Sequence, residues 1–266
     1  MLIGLLITLL ISTFSASFAQ NSNETNLENV EIREYEGTNL SSINSFKENS
    51  IKGPQYIDPE NYALTISGLV DSPLELNYDE IVNNYQHFAK VVTLYCIEGW
   101  SATIFWEGVR VKDLIEQAGV NQSANTVIFY AYDNYSTSMP LSYILDNDII
   151  IAHKMNNVTL PPERGFPFQL VAESKWGYKW IKWIIKIELS SDSGYLGYWE
   201  SAGYSNWADL SEPAFDFQEY YKDLFEEINE IPEFPPWIIM PLFACATLTV
   251  IIFRKKISRK HASSNS

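Results

Sequence analysis

"TLYCIEGWSATIFW", residues 93–106, is the stretch on which the reading of this chain turns. It holds Cys96, one of only two cysteines in 266 residues, followed by an acid, a glycine and a tryptophan and flanked on both sides by β-forming residues. "VVTLYC" reads as a buried strand, and Gly99 allows the chain to bend as it leaves. Cys96 then stands at a strand exit, where a side chain projects into the mouth of a fold. A cysteine in an apolar strand is ordinarily a small core residue. By the two-residue period of a strand, Tyr95 faces the opposite side and is expected in packing.

The two ends of the chain set its expected compartment. "MLIGLLITLLISTFSASFAQ" (1–20) is an apolar run closing on Ser17 and Ala19, which predicts a signal peptide over 1–19. "PPWIIMPLFACATLTVIIF" (235–253) carries no charge and is about as long as a membrane-crossing helix must be. "RKKISRK" follows at once, so the positive-inside rule keeps the basic tail, 254–266, in the cytoplasm. The expected protein is thus extracytoplasmic and single-pass, anchored at its C-terminus. "IPEFPPW" (231–237) resembles the Pro-Glu-Phe sorting signals of exported archaeal proteins. Cys245 falls inside the apolar segment, so Cys96 has no disulfide partner, and an exported free thiol oxidises unless it is buried or ligated.

The formal charge is −15; setting aside the five basic residues of the tail leaves 13 basic against 33 acidic residues, a balance of −20. Such a surface excludes nucleic acid as a partner and suits docking to a basic redox protein. Five glycosylation sequons, at Asn23, Asn39, Asn121, Asn134 and Asn157, agree with export.

Between the ends, residues 20–53 are rich in Asn, Ser and Glu and read as a flexible arm. "YALTISGLV" (62–70) reads as a strand and turn, and "NYDEIVNNY" (77–85) as a short helix capped by Asn77 with Glu80 three residues on. "VRVKDLIEQAG" reads as an amphipathic helix ended by Gly119, "NTVIFYAYDNYSTSMPL" as a strand leading into a loop, and "LSYILDND" as another short helix. Residues 155–190 supply a Pro-rich loop, a strand, an aromatic loop and a β-forming run. Strands and helices mix without regular alternation, which predicts an α+β fold with a mixed sheet over 54–200. Residues 201–234 read as an acidic, aromatic linker.

"LYCIEGWSATIFWEGVRVKDLI" resembles the cysteine segment of the molybdopterin-binding oxidoreductase domain of the sulfite oxidase superfamily. Two further matches follow the family's order: "IDPENYALTISGLVDSPLEL" is similar to its opening strand and turn, and "LPPERGFPFQLVAESKWGYKWIKWI" to its loop and Tyr-Gly-x-Lys segment. Together they cover roughly 54–190. The resemblance implies a sulfite oxidase catalytic-domain fold and a molybdenum-molybdopterin cofactor with Cys96 as the protein ligand to the metal. It places Glu98 and Trp100 beside the metal. It assigns Arg164, Gln169, Lys179, Trp180, Ile181 and Lys182 to the cofactor, with Lys182 for its phosphate. Lys175, Lys179 and Lys182 supply the cations such a phosphate requires. Gln169 falls where the family commonly has Arg, and Arg164 where it often has Asn or His.

The run after the ligand is "CIEGWS" where sulfite oxidases have arginines, and no basic residue occurs between Cys96 and Arg110. This is closer to the bacterial periplasmic branch that includes protein methionine-sulfoxide reductases. The implied activity is two-electron oxo transfer to or from a small molecule or sulfoxide. Electrons would pass to or from a separate carrier: a haem or copper protein, or a quinol-linked membrane subunit. The competing expectations are a non-catalytic exported binding domain that has lost the cofactor, and an electron-relay subunit using its aromatics.

Other chemistries find less support. His87 and His153 stand 66 residues apart with no acid or Cys at ligand spacing beside either, so a zinc site is not expected. There is no Cys-x-x-Cys-His for covalent haem and no Gly-x-Ser-x-Gly nucleophile turn. Asp133 with Asp146 or Asp148 reads as acidic loop rather than as a glycosidase pair.

Overall fold

The computed structural model describes residues 30–215. The expected signal peptide, membrane segment and basic tail lie outside them, as does Cys245. Among the described residues no helix is long and apolar enough to cross a membrane.

The chain opens with a small hairpin, β1 (Glu34–Tyr35) and β2 (Thr38–Asn39). Next come β3 (Ala63–Gly68), β4 (Leu74–Asn77) and helix α1 (Tyr78–Asn84). Asn77 accepts from the Glu80 N–H while the Glu80 carboxylate accepts from the Asn77 N–H, the reciprocal cap expected of that spacing. Then follow β5 (His87–Tyr95), β6 (Ser101–Arg110) and α2 (Val111–Ala118), which ends at Gly119 with φ 75°. β7 (Thr126–Ala131) and β8 (Ser136–Pro140) form a hairpin, so the stretch read as a strand leading into a loop holds two strands. After α3 (Leu141–Asp146) the chain completes the fold with β9 (Ile150–Met155), β10 (Val158–Thr159), β11 (Gln169–Val171) and β12 (Ile184–Ser190).

Two five-stranded sheets result. One runs β10-β9-β6-β5, with β11 also paired to β9; the other runs β4-β3-β12-β7-β8. In the second sheet β12 is parallel to β3 and antiparallel to β7, which makes it mixed. Their inner faces share one core, filled by Leu64, Ile66, Ile104, Trp106, Phe129 and Ile151 among others. Buried Val111, Leu114, Ile115 and Ala118 sit on one face of α2 and close one side of that core.

Two segments depart from the expected organisation. Residues 30–52 are packed against the domain rather than loose. Arg164 donates to the carbonyls of Ile43 (2.8 Å), Phe46 (2.6 Å) and Lys47 (3.1 Å), and the Ser41 N–H donates to Thr103 O. A polar composition predicts disorder only when too few apolar groups are buried, and here Leu40 and Ile43 are buried while Phe46 packs on the core. Likewise 201–215 belongs to the domain. The Trp176 N–H donates to Ala208 O and the Leu210 N–H to Ser174 O, and Lys175 pairs with Asp209 at 2.6 Å.

Candidate active site

Alternation along β5 sends Val92 and Leu94 into the core, and Cys96, the next residue in that series, takes the same side at the strand's end. Tyr95 takes the other side, but it is 43% exposed rather than packed. A tight turn joins β5 to β6: the Cys96 N–H donates to Trp100 O (2.9 Å) and the Gly99 N–H to Cys96 O (3.0 Å). Gly99 closes it at φ 87°, a conformation that a side chain would strain. The thiol is therefore at the tip of a rigid hairpin, 7% exposed, on the wall of a cleft of about 430 Å³.

Gly177, Tyr178 and residues 180–183 line the same cleft. Gly177 begins a short 3-10 turn, Gly177–Lys179, against the end of β5; a Cβ there would stand 3.1 Å from Tyr95 O and 3.5 Å from Cys96 Cα. Absence of that side chain lets the turn pack against the Cys96 hairpin, and Trp180, Ile181 and Lys182 continue from it along the cleft. Trp183 follows at φ 55°, a strained value for a large side chain, held by its indole N–H donating to Pro162 O at 2.8 Å. Lys182 Nζ lies over the Trp183 ring, 2.6 Å from Glu48 Oε1 and 3.3 Å from Glu163 O.

Of the residues singled out from sequence, Cys96, Glu98, Trp100, Arg164, Gln169, Trp180, Ile181 and Lys182 all line this one cleft. Trp100 donates from its indole to Glu98 Oε2 at 3.2 Å and packs on Phe46. Gln169, on β11, is 4% exposed. The Arg164 guanidinium is committed to the three carbonyls of the arm and to the Phe46 ring, 3.9 Å away.

Lys179 does not reach the cleft. Its side chain is wholly buried on the other side of the turn, where Nζ bonds Glu200 Oε1 (2.5 Å), Ser138 O (2.9 Å) and Asn206 Oδ1 (3.1 Å). Lys175 is likewise turned away, toward Asp209 and the Tyr143 ring. Lys175 precedes the 3-10 turn, Lys179 closes it and Lys182 follows it, so three closely spaced lysines serve three different places. The cleft's cations are instead Lys47, Arg164 and Lys182.

The arm is what the sequence reading missed. Phe46, Lys47, Asn49, Ser50 and Ile51 line the cleft, and Asn49 Nδ2 lies 3.8 Å from Cys96 Sγ. Its few apolar residues, Ile43, Phe46 and Ile51, are the available signal. A second cluster was also missed: the fold brings His87 and His153 together with Glu107, where spacing along the chain gave neither histidine a ligand partner.

Burial pushes the Cys96 thiol up, and hydrogen bonds from the Glu98 N–H and the Asn49 amide pull it part of the way back. A metal that displaces the proton removes this cost, since thiolate is the ligating form. Burial lowers Lys182, against which its hydrogen bond to Glu48 works. Ser50 Oγ is buried without a hydrogen-bond partner. One thiol, cations in the same cleft and an unsatisfied hydroxyl fit a phosphate-bearing cofactor whose metal takes a soft sulfur ligand. Cys96 would hold the metal, and Lys182 with Lys47 the anionic end.

Comparison with known proteins agrees. The oxidoreductase molybdopterin binding domain family matches residues 51–199. The uncharacterized oxidoreductase YuiH of Bacillus subtilis (strain 168) is 33% identical over 152 residues, 57% of this chain and 76% of its own. The putative protein-methionine-sulfoxide reductase subunit YedZ1 of Azospira oryzae is 32% identical over 151 residues, 57% of this chain and 56% of that protein. Mitochondrial sulfite oxidase of Rattus norvegicus is 25% identical over 217 residues, with 70% of this chain but only 38% of that one covered. Among solved structures, the sulfane dehydrogenase SoxCD of Paracoccus pantotrophus shares the fold with a TM-score of 0.53 and 17% identity, over 70% of this chain and 58% of its own. The family match runs over more than half of the chain and takes in the Cys96 hairpin, the Lys182 wall and the edge of the arm. The chain therefore belongs to the oxidoreductase molybdopterin binding domain family, a molybdenum cofactor-dependent oxidoreductase.

Proposed function

We propose that this chain is an exported, membrane-tethered oxidoreductase that removes oxygen from uncharged sulfoxides, exchanging electrons with a separate carrier protein. The observation that carries the substrate class is the absence of a free guanidinium beside the thiol among the described residues. Glu98 sits two residues from Cys96, and the nearby guanidinium of Arg164 is already committed to the arm. An anion such as sulfite meets the Glu98 carboxylate and no free guanidinium there, with Lys47 as the flexible cation nearest the thiol, whereas a neutral sulfoxide needs only a hydrogen bond at its oxygen and an apolar wall for its substituents. Trp100, Tyr135 and Trp199 offer that wall. The similarity to the Azospira protein, a putative protein-methionine-sulfoxide reductase subunit, supports the same class.

The bound cofactor supplies the two-electron oxygen-atom transfer. The net change balances as sulfoxide plus two electrons and two protons giving sulfide and water. This chain's own residues position the reaction: Cys96 anchors the metal end, the Gly99 turn keeps that anchor rigid, and Lys182 holds the anionic end. The acidic surface suits a carrier with a basic face.

The test is an assay of the purified protein carrying molybdenum and pterin, with reduced viologen as electron donor and methionine sulfoxide or dimethyl sulfoxide as acceptor. Sulfite with ferricyanide is run alongside. Sulfoxide-dependent viologen oxidation that disappears in Cys96→Ser supports the reading. Sulfite oxidation without sulfoxide reduction overturns it.

A further inference from the structure

We infer that His87, Glu107 and His153 form a second metal site, distinct from the Cys96 cleft, that takes one borderline divalent transition metal such as Zn²⁺. The three residues lie on adjacent strands β5, β6 and β9. Glu107 pairs with Lys154 and Gly108 with Ala152, so His153 is the extra residue of a β-bulge, a device that re-aims a side chain. The donor atoms all lie within 4.8 Å of one another. His87 Nδ1 is 3.4 Å and His153 Nε2 3.9 Å from the same oxygen, Glu107 Oε1. Tetrahedral zinc, with bonds near 2.0–2.1 Å, separates its ligand atoms by about 3.3 Å. Small side-chain rotations bring the cluster to that spacing.

The hydrogen-bond inventory points to a cation independently of the spacing. His87 Nε2 lies 2.7 Å from Val82 O. A carbonyl only accepts, so Nε2 carries a proton, and Nδ1 is the nitrogen that faces the Glu107 carboxylate and would ligate a metal. His153 is 1% exposed, and its Nε2 is buried with no hydrogen-bond partner. Two imidazole nitrogens and a carboxylate oxygen thus converge, and one metal ion satisfies all three. The Val82 carbonyl fixes the His87 tautomer in the manner of an outer-shell partner.

Mixed imidazole and carboxylate donors suit Zn²⁺ and its neighbours better than Mg²⁺ or Ca²⁺. His87 and Glu107 have side chains 35% and 21% exposed, which leaves an entry path and a position for water. Lys154 Nζ, 3.4 Å from Glu107 Oε1, competes for the carboxylate; its side chain is 30% exposed and free to turn to solvent. His87 opens the strand that ends beside Cys96, and nine residues put the two sites roughly 30 Å apart. A metal here ties together the strands that support the Cys96 hairpin.

The test is equilibrium dialysis of the full chain, carrying its molybdenum cofactor, against buffered Zn²⁺, with zinc and molybdenum counted together and Tm recorded. The expected result is one zinc per chain in addition to molybdenum, with a raised Tm. His87→Gln and Glu107→Gln, chosen because neither side chain is buried in the core, should each weaken zinc by at least about tenfold without lowering molybdenum. Lys154→Gln should tighten it, and Cys96→Ser should keep it. Absence of zinc from the wild type, uptake unchanged in both His87→Gln and Glu107→Gln, or zinc lost with Cys96 would overturn the inference.

Discussion

Lys182 Nζ lies 2.6 Å from Glu48 Oε1, so the lysine best placed to meet the cofactor's phosphate is paired with a carboxylate from the N-terminal arm. The two side chains are 14% and 25% exposed. A cofactor phosphate held by Lys182 would compete with Glu48 for the same ammonium unless the arm yields.

Glu48→Gln removes the competing charge. Cofactor retention should improve by roughly fivefold, the equivalent of about 1 kcal/mol for a partly exposed ion pair, while Lys182→Ala should lower it. Pterin and molybdenum content after dialysis at low cofactor concentration measures both. Equal retention in wild type and Glu48→Gln would show that the carboxylate does not compete.

Arg164 is the clasp of the arm, with three hydrogen bonds to backbone carbonyls. Arg164→Ala should cost about 2 kcal/mol, within the usual range for hydrogen bonds to a charged group, and should speed tryptic cleavage at Lys47 and Lys52. Limited proteolysis followed by mass spectrometry reads this directly. Cleavage at the wild-type rate would mean that the arm is held by its apolar contacts alone.

Lys179 and Glu200 form an ion pair with no side-chain exposure on either partner. Lys179→Met strands Glu200 in the core and should destabilise by about 3–5 kcal/mol, the range for breaking a buried pair. Lys179→Met combined with Glu200→Leu should recover much of the loss. Denaturant midpoints of the two variants test this, and a midpoint for the single variant near wild type would contradict the assignment.

The proposed export and anchoring rest on the sequence of the two terminal segments. A tagged full chain should fractionate with membranes, and protease added from outside should digest the domain while sparing the tail 254–266. Deleting 235–266 should release the protein in soluble form. Recovery of intact wild-type chain from the cytosol would count against both the leader and the anchor.

How much was legible in the sequence differs by element. The capped helix α1, the helix ending at Gly119 and the strand leading to Cys96 depend on contacts a few residues apart, which composition and periodicity record. The cleft residues with an ordered motif, from Cys96 to Lys182, were legible through resemblance. Lys179 was misread because spacing along the chain carries no information about which side of a short turn a side chain leaves.

The sequence alone determined a thiol at a strand exit, an α+β core, a strongly acidic chain and membership of a cofactor-binding family, because local periodicity, charge and ordered motifs survive without coordinates. Only the tertiary structure decided that the polar arm closes the cleft, that Glu48 meets Lys182 across 134 positions, and that His87 and His153 converge on Glu107. Those contacts join residues far apart in the chain. Strand pairing and core packing bring them together, and neither leaves a trace in the spacing of residue types.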